Sequence, residues 1–305
     1  MSADDTRDRS AASDTGRGNP VNEGGRGPYL KNTGDRPSVD DTGHRPAVGD
    51  TRHKSSGDRT VHRPSPSDPR DRLIVALDMS DIERVASLVN LLGYHVLIYK
   101  VGLELFTSAG FAAIDLLHRQ GKRVFVDLKL HDIPRTVERA AAAVARMGAF
   151  MTTVHCLGGK DALEAARNGL EKGSQNVDRR PLLLAVTLLT SHGEEELKEL
   201  FPGDWALRDK VLELARLAEE AGADGVVCSP MEVRRVKDTC GRLVAVTPGV
   251  RLWKVEADDQ RRVSSPADAM KNGADYLVVG RPIVAAADPV DAARQVLDQM
   301  SAGIC

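Results

Sequence analysis

The chain has 305 residues and a formal net charge of −2, with 41% apolar and 28% charged residues. A charge this close to zero gives no field that would favour binding to nucleic acid or to an anionic membrane surface. No apolar run approaches the ~18 residues that span a bilayer, and the amino terminus lacks the apolar segment of a secretory signal. The sequence therefore predicts a globular, cytoplasmic protein.

The first part of the chain differs from the rest in composition. Residues 1–70 are mainly Asp, Arg, Gly, Ser, Thr and Pro, whereas Val, Leu, Ile and Ala recur in dense runs from Asp71 onward. The first segment cannot bury enough apolar surface to offset the entropy of ordering its backbone. We predict a disordered low-complexity tail over 1–70 and one folded domain over 71–305. The tail is either a functionally quiet extension or a docking or localisation segment.

Beyond the tail, short β-branched runs alternate with longer stretches of helical period, which is the pattern of βαβ units. The eight predicted strands are Leu73–Leu77, Val96–Val101, Val124–Leu128, Phe150–His155, Leu183–Leu188, Gly225–Cys228, Leu243–Thr247 and Tyr276–Val279. The eight predicted helices are Ile82–Leu92, Leu105–Arg119, Thr136–Met147, Ala162–Glu171, Ala206–Ala221, Met231–Lys237, Pro266–Asn272 and Pro289–Met300.

Strict alternation of eight strands with eight helices favours a closed parallel (β/α)₈ barrel. Helix-start signals support the assignment, because Asp81 precedes the first helix and Asp288 is followed by Pro289 at the start of the last. A doubly wound open sheet is the alternative that the pattern alone leaves open. In a barrel, the carboxyl ends of the strands form the functional site.

The most informative segment is Val126–Pro134, with the sequence VDLKLHDIP. Because side chains alternate along a strand, Asp127 and Lys129 are predicted to point toward the same rim, with Asp132 just beyond the strand. An ammonium held among carboxylates stays charged and can act as a general acid. A plain ion-pair cluster at a strand end is the structural alternative.

A second candidate site lies at the end of the eighth predicted strand. There Gly280 lets a ligand approach the backbone and Arg281 offers a bidentate cation. Phosphate sites in barrels commonly follow strands seven and eight, where helix N-termini present free N–H groups. An ordinary surface arginine is the structural alternative.

A third candidate follows the seventh predicted strand, where Val246–Arg251 has the sequence VTPGVR and a polar stretch leads to Gln260. A mobile loop of about ten residues at this place is predicted to close over substrate, with Gln260 at a phosphate. An ordinary long loop is the alternative.

The four cysteines show no CxxC or metal-ligand spacing, and no metal site is predicted. We interpret them as small buried hydrophobes in a reducing compartment. They are Cys156, Cys228, Cys240 and Cys305.

Taken together, the motifs resemble those of the orotidine 5'-phosphate decarboxylase family, in the family's order and over about residues 72–300. The segments that carry the resemblance are ALD (76–78), YKVG (99–102), DLKLHDIP (127–134), LTS (189–191), TPGVR (247–251), DDQ (258–260) and VGRPI (279–283).

The resemblance implies decarboxylation of orotidine 5'-phosphate to uridine 5'-phosphate, with no metal or organic cofactor. Lys129 would deliver a proton to C6 of the pyrimidine, and Asp127 would lie beside the departing carboxylate. Asp132 and Thr136 would be contributed to the neighbouring subunit's site, which implies a homodimer. The implied substrate-binding residues are Asp78 and Lys100 for the ribose, Thr190 or Ser191 for the pyrimidine edge, and Arg251, Gln260, Gly280 and Arg281 for the phosphate.

Two other functions remain as alternatives. One is a Mg²⁺-dependent keto-sugar-phosphate decarboxylase or hexulose-phosphate synthase of the same superfamily. Those relatives are similar to one another in a metal-binding Glu after strand two, where this chain has Lys100. The other is a catalytically inactive barrel that acts as a binding module, which the presence of Lys129 and its Asp partners disfavours.

Overall fold

The protein is described from a computed structural model, which covers residues 68–175, 179–191, 193–201, 203, 206–252 and 264–304. All of them belong to one of the chain's two compact units, Asp58–Cys305. Residues 1–67 lie outside the described residues, so the predicted tail over 1–70 stays a prediction.

Eight parallel strands close into a barrel in sequence order, and the eighth pairs with the first. This confirms the predicted (β/α)₈ barrel and excludes the open doubly wound sheet. The strands are β1 (Leu73–Ala76), β2 (Ile98–Val101), β3 (Arg123–Leu130), β4 (Met151–His155), β5 (Leu182–Val186), β6 (Gly225–Val227), β7 (Val244–Thr247) and β8 (Tyr276–Val279).

Helices follow every strand and cover the outside of the barrel. They are α1 (Ile82–Leu92), α2 (Leu103–Ala109), α3 (Phe111–Arg119), α4 (Pro134–Arg146), α5 (Gly159–Gly173), α6 (Glu194–Leu200), α7 (Leu207–Glu220), α8 (Val233–Thr239), α9 (Pro266–Lys271), α10 (Arg281–Val284) and α11 (Pro289–Ile304). Short 3₁₀ turns occupy Pro69–Asp71, Gly93–His95 and Cys156–Gly158. No helix in the described ranges is long and apolar enough to cross a membrane.

The predicted helix caps are present. The Asp81 carboxylate accepts hydrogen bonds from the backbone N–H groups of Glu83 and Arg84, so α1 begins and ends where the sequence predicts. The Asp288 carboxylate accepts two backbone N–H groups in the first turn of α11, at 3.0 Å each. Both side chains satisfy N–H groups that have no partner inside the helix.

The helix predictions differ from the structure at several places. The single helix predicted over Leu105–Arg119 is two helices, because Gly110 adopts φ +56° and ends α2 before α3 starts. The helices α6 and α10 were not predicted, since each is too short for its apolar period to stand out. The helix after β4 is longer than predicted at both ends.

The strand β3 runs two residues past its predicted end and is irregular there. From Val126 to Leu130 it advances four residues, while β4 advances only two, from Thr152 to Val154. The extra residues bulge, and Lys129 adopts φ +48°, the only positive φ outside glycine in the described residues. This backbone conformation costs a residue with a Cβ atom about 1–2 kcal/mol.

Alternate strand residues form two apolar layers. Inward-facing side chains fill the barrel, while the opposite faces of the same strands pack against the helices. The barrel interior is formed by Ile74, Ala76, Ile98, Phe125, Met151, Leu182, Leu184, Val244, Val246, Tyr276 and Val278.

Charged residues at the amino-terminal ends of the strands form an ion-pair rim. Asp224 accepts the backbone N–H of Leu183 at 2.7 Å, and Asp275 accepts that of Ala245 at 2.8 Å, so each carboxylate joins neighbouring strands. The ion pairs of this N-terminal rim join Asp71 to Arg123, Asp224 to Arg167 and Arg180, and Asp275 to Lys237.

Candidate active site

A cavity of about 460 Å³ opens at the carboxyl ends of the strands. Its size lies within the ~300–1,000 Å³ typical of small-molecule sites. Apolar side chains from inside the barrel line part of the wall, and charged side chains from the strand ends line the rest. The lining residues are Ala76, Asp78, Lys100, Phe125, Asp127, Lys129, Val186, Leu188, Leu189, Thr190, Val227, Pro248, Gly249, Arg251, Val278, Gly280 and Arg281.

Asp127 and Lys129 meet in this cavity. The Lys129 ammonium donates to Asp127 Oδ2 at 2.9 Å, and the Lys129 side chain is 33% exposed while Asp127 is only 7% exposed. The sequence predicts that both side chains point to the same rim by regular alternation. They do so through the bulge of β3, in which Lys129 has a left-handed backbone.

A second lysine extends the charged array. Lys100 is on β2, and its ammonium donates to Asp78 Oδ1 at 2.9 Å and lies 3.5 Å from Asp127 Oδ2. The four side chains of Asp78, Lys100, Asp127 and Lys129 therefore alternate in charge along the cavity wall. Each buried charge in the array has an opposite charge within hydrogen-bond or ion-pair distance.

The electrostatics hold the two central groups of the array, Lys100 and Asp127, ionised. Burial alone raises the pKa of the Asp127 carboxyl, but the charges of Lys100 and Lys129 and two hydrogen bonds outweigh it and lower the pKa below 3.8. Burial alone lowers the pKa of Lys100, yet Asp127 and Asp78 outweigh it and raise the pKa above 10.5. Asp127 and Lys100 are therefore both charged at neutral pH.

Thr153 on β4 completes this network, and the sequence analysis did not single it out. Its hydroxyl donates to Asp127 Oδ1 at 2.9 Å and accepts the backbone N–H of Lys129 at 2.9 Å. One signal could have found it, because alternation places a polar Thr153 on the same inward face as Met151. His155, at the end of the same strand, accepts the backbone N–H of Leu157 and does not line the cavity.

The loop after β7 begins with a tight turn. Gly249 has φ +80°, a conformation that glycine adopts without a steric penalty. The turn is held by the backbone hydrogen bond from Arg251 N to Ser264 O at 3.0 Å. Arg251 lines the cavity. Residues 253–263 of the loop predicted to close over substrate, including Gln260, lie outside the described residues.

Gly280 and Arg281 lie where β8 gives way to the short helix α10. Gly280 caps the helix, and its carbonyl accepts the backbone N–H groups of Ile283 and Val284. A Cβ atom at Gly280 would lie 3.6 Å from Asp78 Oδ2, so the absence of a side chain keeps space beside Asp78. Both residues line the cavity, as does Thr190 from the loop after β5.

Asp132 and Thr136 are placed differently from the other predicted site residues. Both are exposed, and neither lines the cavity within the described part of the chain. Asp132 accepts the backbone N–H of its neighbour Ile133, whose own side chain is 67% exposed. The two polar residues thus share an exposed surface at the start of α4 with a large apolar side chain.

This arrangement can bind an anionic ligand and change its charge distribution. Lysine and arginine side chains supply cations, and the apolar wall excludes water and strengthens the electrostatic interactions inside the cavity. Lys129 can donate a proton to a ligand atom while Asp127 keeps its ammonium oriented.

Comparison with known proteins assigns the family. The profile of the "Orotidine 5'-phosphate decarboxylase / HUMPS family" matches residues 71–296. The orotidine 5'-phosphate decarboxylase of Moorella thermoacetica is 47% identical over 74% of this chain and 91% of its own length. That of Heliobacterium modesticaldum is 45% identical over 77% of this chain and 98% of its own length.

A solved structure agrees with the sequence relatives. The orotidine 5'-phosphate decarboxylase of Lactobacillus acidophilus has a TM-score of 0.68 and 38% identity, covering 78% of this chain and 99% of that one. The barrel, the charged array and these similarities lead to one conclusion. The chain belongs to the orotidine 5'-phosphate decarboxylase / HUMPS family.

Proposed function

We propose that the protein converts orotidine 5'-phosphate to uridine 5'-phosphate and CO₂, the last step of de novo UMP biosynthesis. The observation that carries this proposal is the Lys100–Asp127–Lys129 array, in a cavity that also presents Arg251 and Arg281. Such a cavity offers cations to a phosphate and a proton donor to a developing carbanion. The Moorella thermoacetica and Heliobacterium modesticaldum relatives are both named orotidine 5'-phosphate decarboxylase, after this reaction.

The chemistry requires a proton donor at the reacting carbon. When the C6–carboxylate bond breaks, the electron pair stays on C6, which has no adjacent electron sink. The Lys129 ammonium stabilises this charge as it develops and then transfers its proton to C6, leaving a neutral amine that regains a proton from solvent. Asp127 beside the departing carboxylate disfavours the bound substrate relative to the CO₂ that leaves.

The remaining cavity residues are assigned to substrate binding. Binding energy from the remote phosphate is available to order the reacting groups around C6. In this assignment the ribose hydroxyls contact Asp78 and Lys100, the pyrimidine edge contacts Thr190, and the phosphate contacts Arg251, Gln260, Gly280 and Arg281.

The proposal includes a homodimer whose subunits complete each other's sites. In its support, Asp132 and Thr136 are exposed and do not line the cavity among the described residues of their own chain. Nearby, the apolar side chains of Ile133 and Leu157 are 67% and 39% exposed, as expected of a surface that a partner covers. In a twofold dimer, the same patch on both subunits would deliver both residues across the interface.

Mixing two inactive variants tests this sharing. Lys129→Ala and Asp132→Ala proteins are prepared separately, unfolded together and refolded as a mixture. If Asp132 acts across the interface, about a quarter of wild-type activity returns, since half of the dimers are mixed and one of two sites in each is intact. A mixture as inactive as its components, with dimers present, would contradict shared sites.

The Mg²⁺-dependent sugar-phosphate enzymes of the superfamily are the second candidate function, and the site disfavours them. The Lys100 ammonium lies 2.9 Å from Asp78 Oδ1 and 3.5 Å from Asp127 Oδ2, where it is itself the cation shared by the two carboxylates. The Lys100 ammonium would repel a divalent cation placed between the same two carboxylates.

The function is tested by ultraviolet absorbance of orotidine 5'-phosphate with the purified protein and excess EDTA. Conversion to the uridine 5'-phosphate spectrum is the expected result. No conversion by a folded protein with EDTA, but turnover of a keto-sugar phosphate with Mg²⁺, would favour the sugar-phosphate enzymes. Tight nucleotide binding without turnover under either condition would favour the inactive binding module.

We also infer a cytoplasmic location. Cys156 and Cys240 are buried free thiols, and burial raises the pKa of Cys156 to about 12, so that it stays protonated. Unoxidised thiols of this kind are typical of proteins in a reducing compartment. The test is fractionation of cells that express the tagged full chain. We expect to find the protein in the cytoplasmic fraction.

A further inference from the structure

Thr153 contacts both Asp127 and Lys129, the two residues that act in the proposed mechanism, and does not itself line the cavity. It is fully buried on β4 and faces the barrel interior, on the same side of the strand as Met151. None of the sequence motifs discussed above includes it.

A single hydroxyl joins the two groups. The low pKa of Asp127 keeps its carboxylate ionised, so the carboxylate can only accept hydrogen bonds. The Thr153 O–H must therefore donate to Asp127 Oδ1, at 2.9 Å, and a lone pair of the same oxygen accepts the Lys129 N–H, also at 2.9 Å. The hydroxyl thus donates one hydrogen bond and accepts one, and these two bonds determine its orientation.

The position of Thr153 opposite the β3 bulge explains why a side chain is needed there. Between Val126 and Leu130 the regular pairing of β3 with β4 is interrupted. A backbone N–H inside such an interruption loses its ladder partner, and leaving it unsatisfied in the barrel would be costly. The Thr153 hydroxyl replaces the missing partner of Lys129 and so supports its left-handed backbone.

We propose that Thr153 is a positioning residue that holds the Asp127 carboxylate and the Lys129 backbone in the geometry required for decarboxylation. The proposal rests on the proposed function. It predicts an effect on kcat rather than on KM, because Thr153 touches the groups that act at the reacting carbon and none of the proposed phosphate-binding residues.

The chain offers a matched set of variants. Thr153→Val keeps the volume and branching but removes the hydroxyl, whereas Thr153→Ser keeps the hydroxyl. Thr152 is the control, because it is equally buried on the same strand and its hydroxyl donates to the Val126 carbonyl at 2.9 Å, away from the cavity.

For Thr153→Val we expect kcat to fall about 10- to 100-fold with KM changed less than about threefold, since small misplacements of catalytic groups have effects of this size. Thr153→Ser should stay within about threefold of wild type, as should Thr152→Val. The acidic limb of the kcat–pH profile should move toward neutral pH in Thr153→Val, because a hydrogen bond that lowers the pKa of Asp127 is lost.

Three kinetic results would overturn the proposal: Thr153→Val with wild-type kcat, Thr153→Ser as impaired as Thr153→Val, or Thr152→Val as impaired as Thr153→Val.

Failure of the wild-type protein to turn over orotidine 5'-phosphate would instead contradict the proposed function. In that case a crystal structure of Thr153→Val tests the positioning directly. An unchanged Lys129 backbone and Asp127 rotamer would overturn it, whereas a changed φ or rotamer supports it.

Discussion

The two ends of the barrel carry similar charged residues and use them differently. At the N-terminal rim, Asp224 and Asp275 each accept a backbone N–H in addition to an ion pair, so both carboxylates join neighbouring parts of the fold. At the carboxyl end, Asp127 accepts only from side chains among the described residues, and two of its partners are cavity-lining lysines.

The difference between Asp127 and the two rim carboxylates lies in what satisfies each charge. Carboxylates bound to backbone N–H groups are satisfied by the fold itself and stabilise it. The lysines of the cavity have donor capacity left for a ligand, since an ammonium has three N–H groups and Lys129 donates one hydrogen bond within the described residues. Substitutions that change one end of the barrel and not the other test this comparison.

The largest effect is expected for Lys129→Ala. Loss of both the proposed proton donor and its electrostatic stabilisation of the carbanion should lower kcat by at least about 10⁴-fold. Binding of uridine 5'-phosphate, measured by calorimetry, should stay within about tenfold, because the proposed phosphate-binding residues remain. Undiminished turnover would contradict the role proposed for Lys129.

At the opposite rim, Asp224→Ala should affect stability and not catalysis. The change leaves the partly buried charge of Arg180 without its carboxylate and the Leu183 N–H without an acceptor, at a cost of about 3–5 kcal/mol. The thermal midpoint should fall by roughly 6–20 °C, with kcat at 25 °C near wild type. The exposed Glu220→Ala is the control and should change stability by less than about 0.5 kcal/mol. Loss of kcat with an unchanged midpoint would show that the two rims are not separate in function.

A smaller effect is expected for Arg281→Ala, measured as kcat/KM. Charged hydrogen bonds contribute about 1.5–3 kcal/mol, so kcat/KM for orotidine 5'-phosphate should fall about 10- to 150-fold. For orotidine, which has no phosphate, the variant and the wild type should be alike. An equal loss with both substrates would place Arg281 outside the phosphate site.

The pH dependence of stability should report the ionised Asp127. Its folded-state pKa lies below 3.8, so the ionised carboxylate contributes stability above that value and loses it as the pH falls through the folded pKa. The gap in thermal midpoint between wild type and Asp127→Asn should therefore be constant from pH 7 to about 5 and narrow below about 4. A gap that closes between pH 6 and 5 would contradict the lowered pKa.

Deletion of residues 1–67 should have the smallest effect. The composition of this segment gives it little apolar surface to bury, and the deletion keeps Asp68, whose carboxylate accepts the backbone N–H of Arg70. The midpoint and kcat should both match the full chain. A drop of more than about 5 °C, or roughly 1–2 kcal/mol for a domain of this size, would indicate that the segment packs on the barrel.

Much of the fold could be predicted because helices and strands have different apolar periods. The bounds of α1 and β8 are as predicted, and all eight strands were identified. The irregular elements could not be predicted in this way. The break at Gly110 interrupts a continuous helical pattern, and α10 has only four residues, so neither changes the period enough to be seen.

The sequence by itself determined the strand–helix order and the ionisable residues at the strand ends, since both follow from local periodicity and residue type. Only the tertiary structure decided that Lys129 occupies a bulge, that Thr153 joins it to Asp127, and which charges line a cavity rather than a rim. These features depend on the register between strands distant in sequence. The packing of the whole barrel decides this register, and a local sequence pattern contains no information about it.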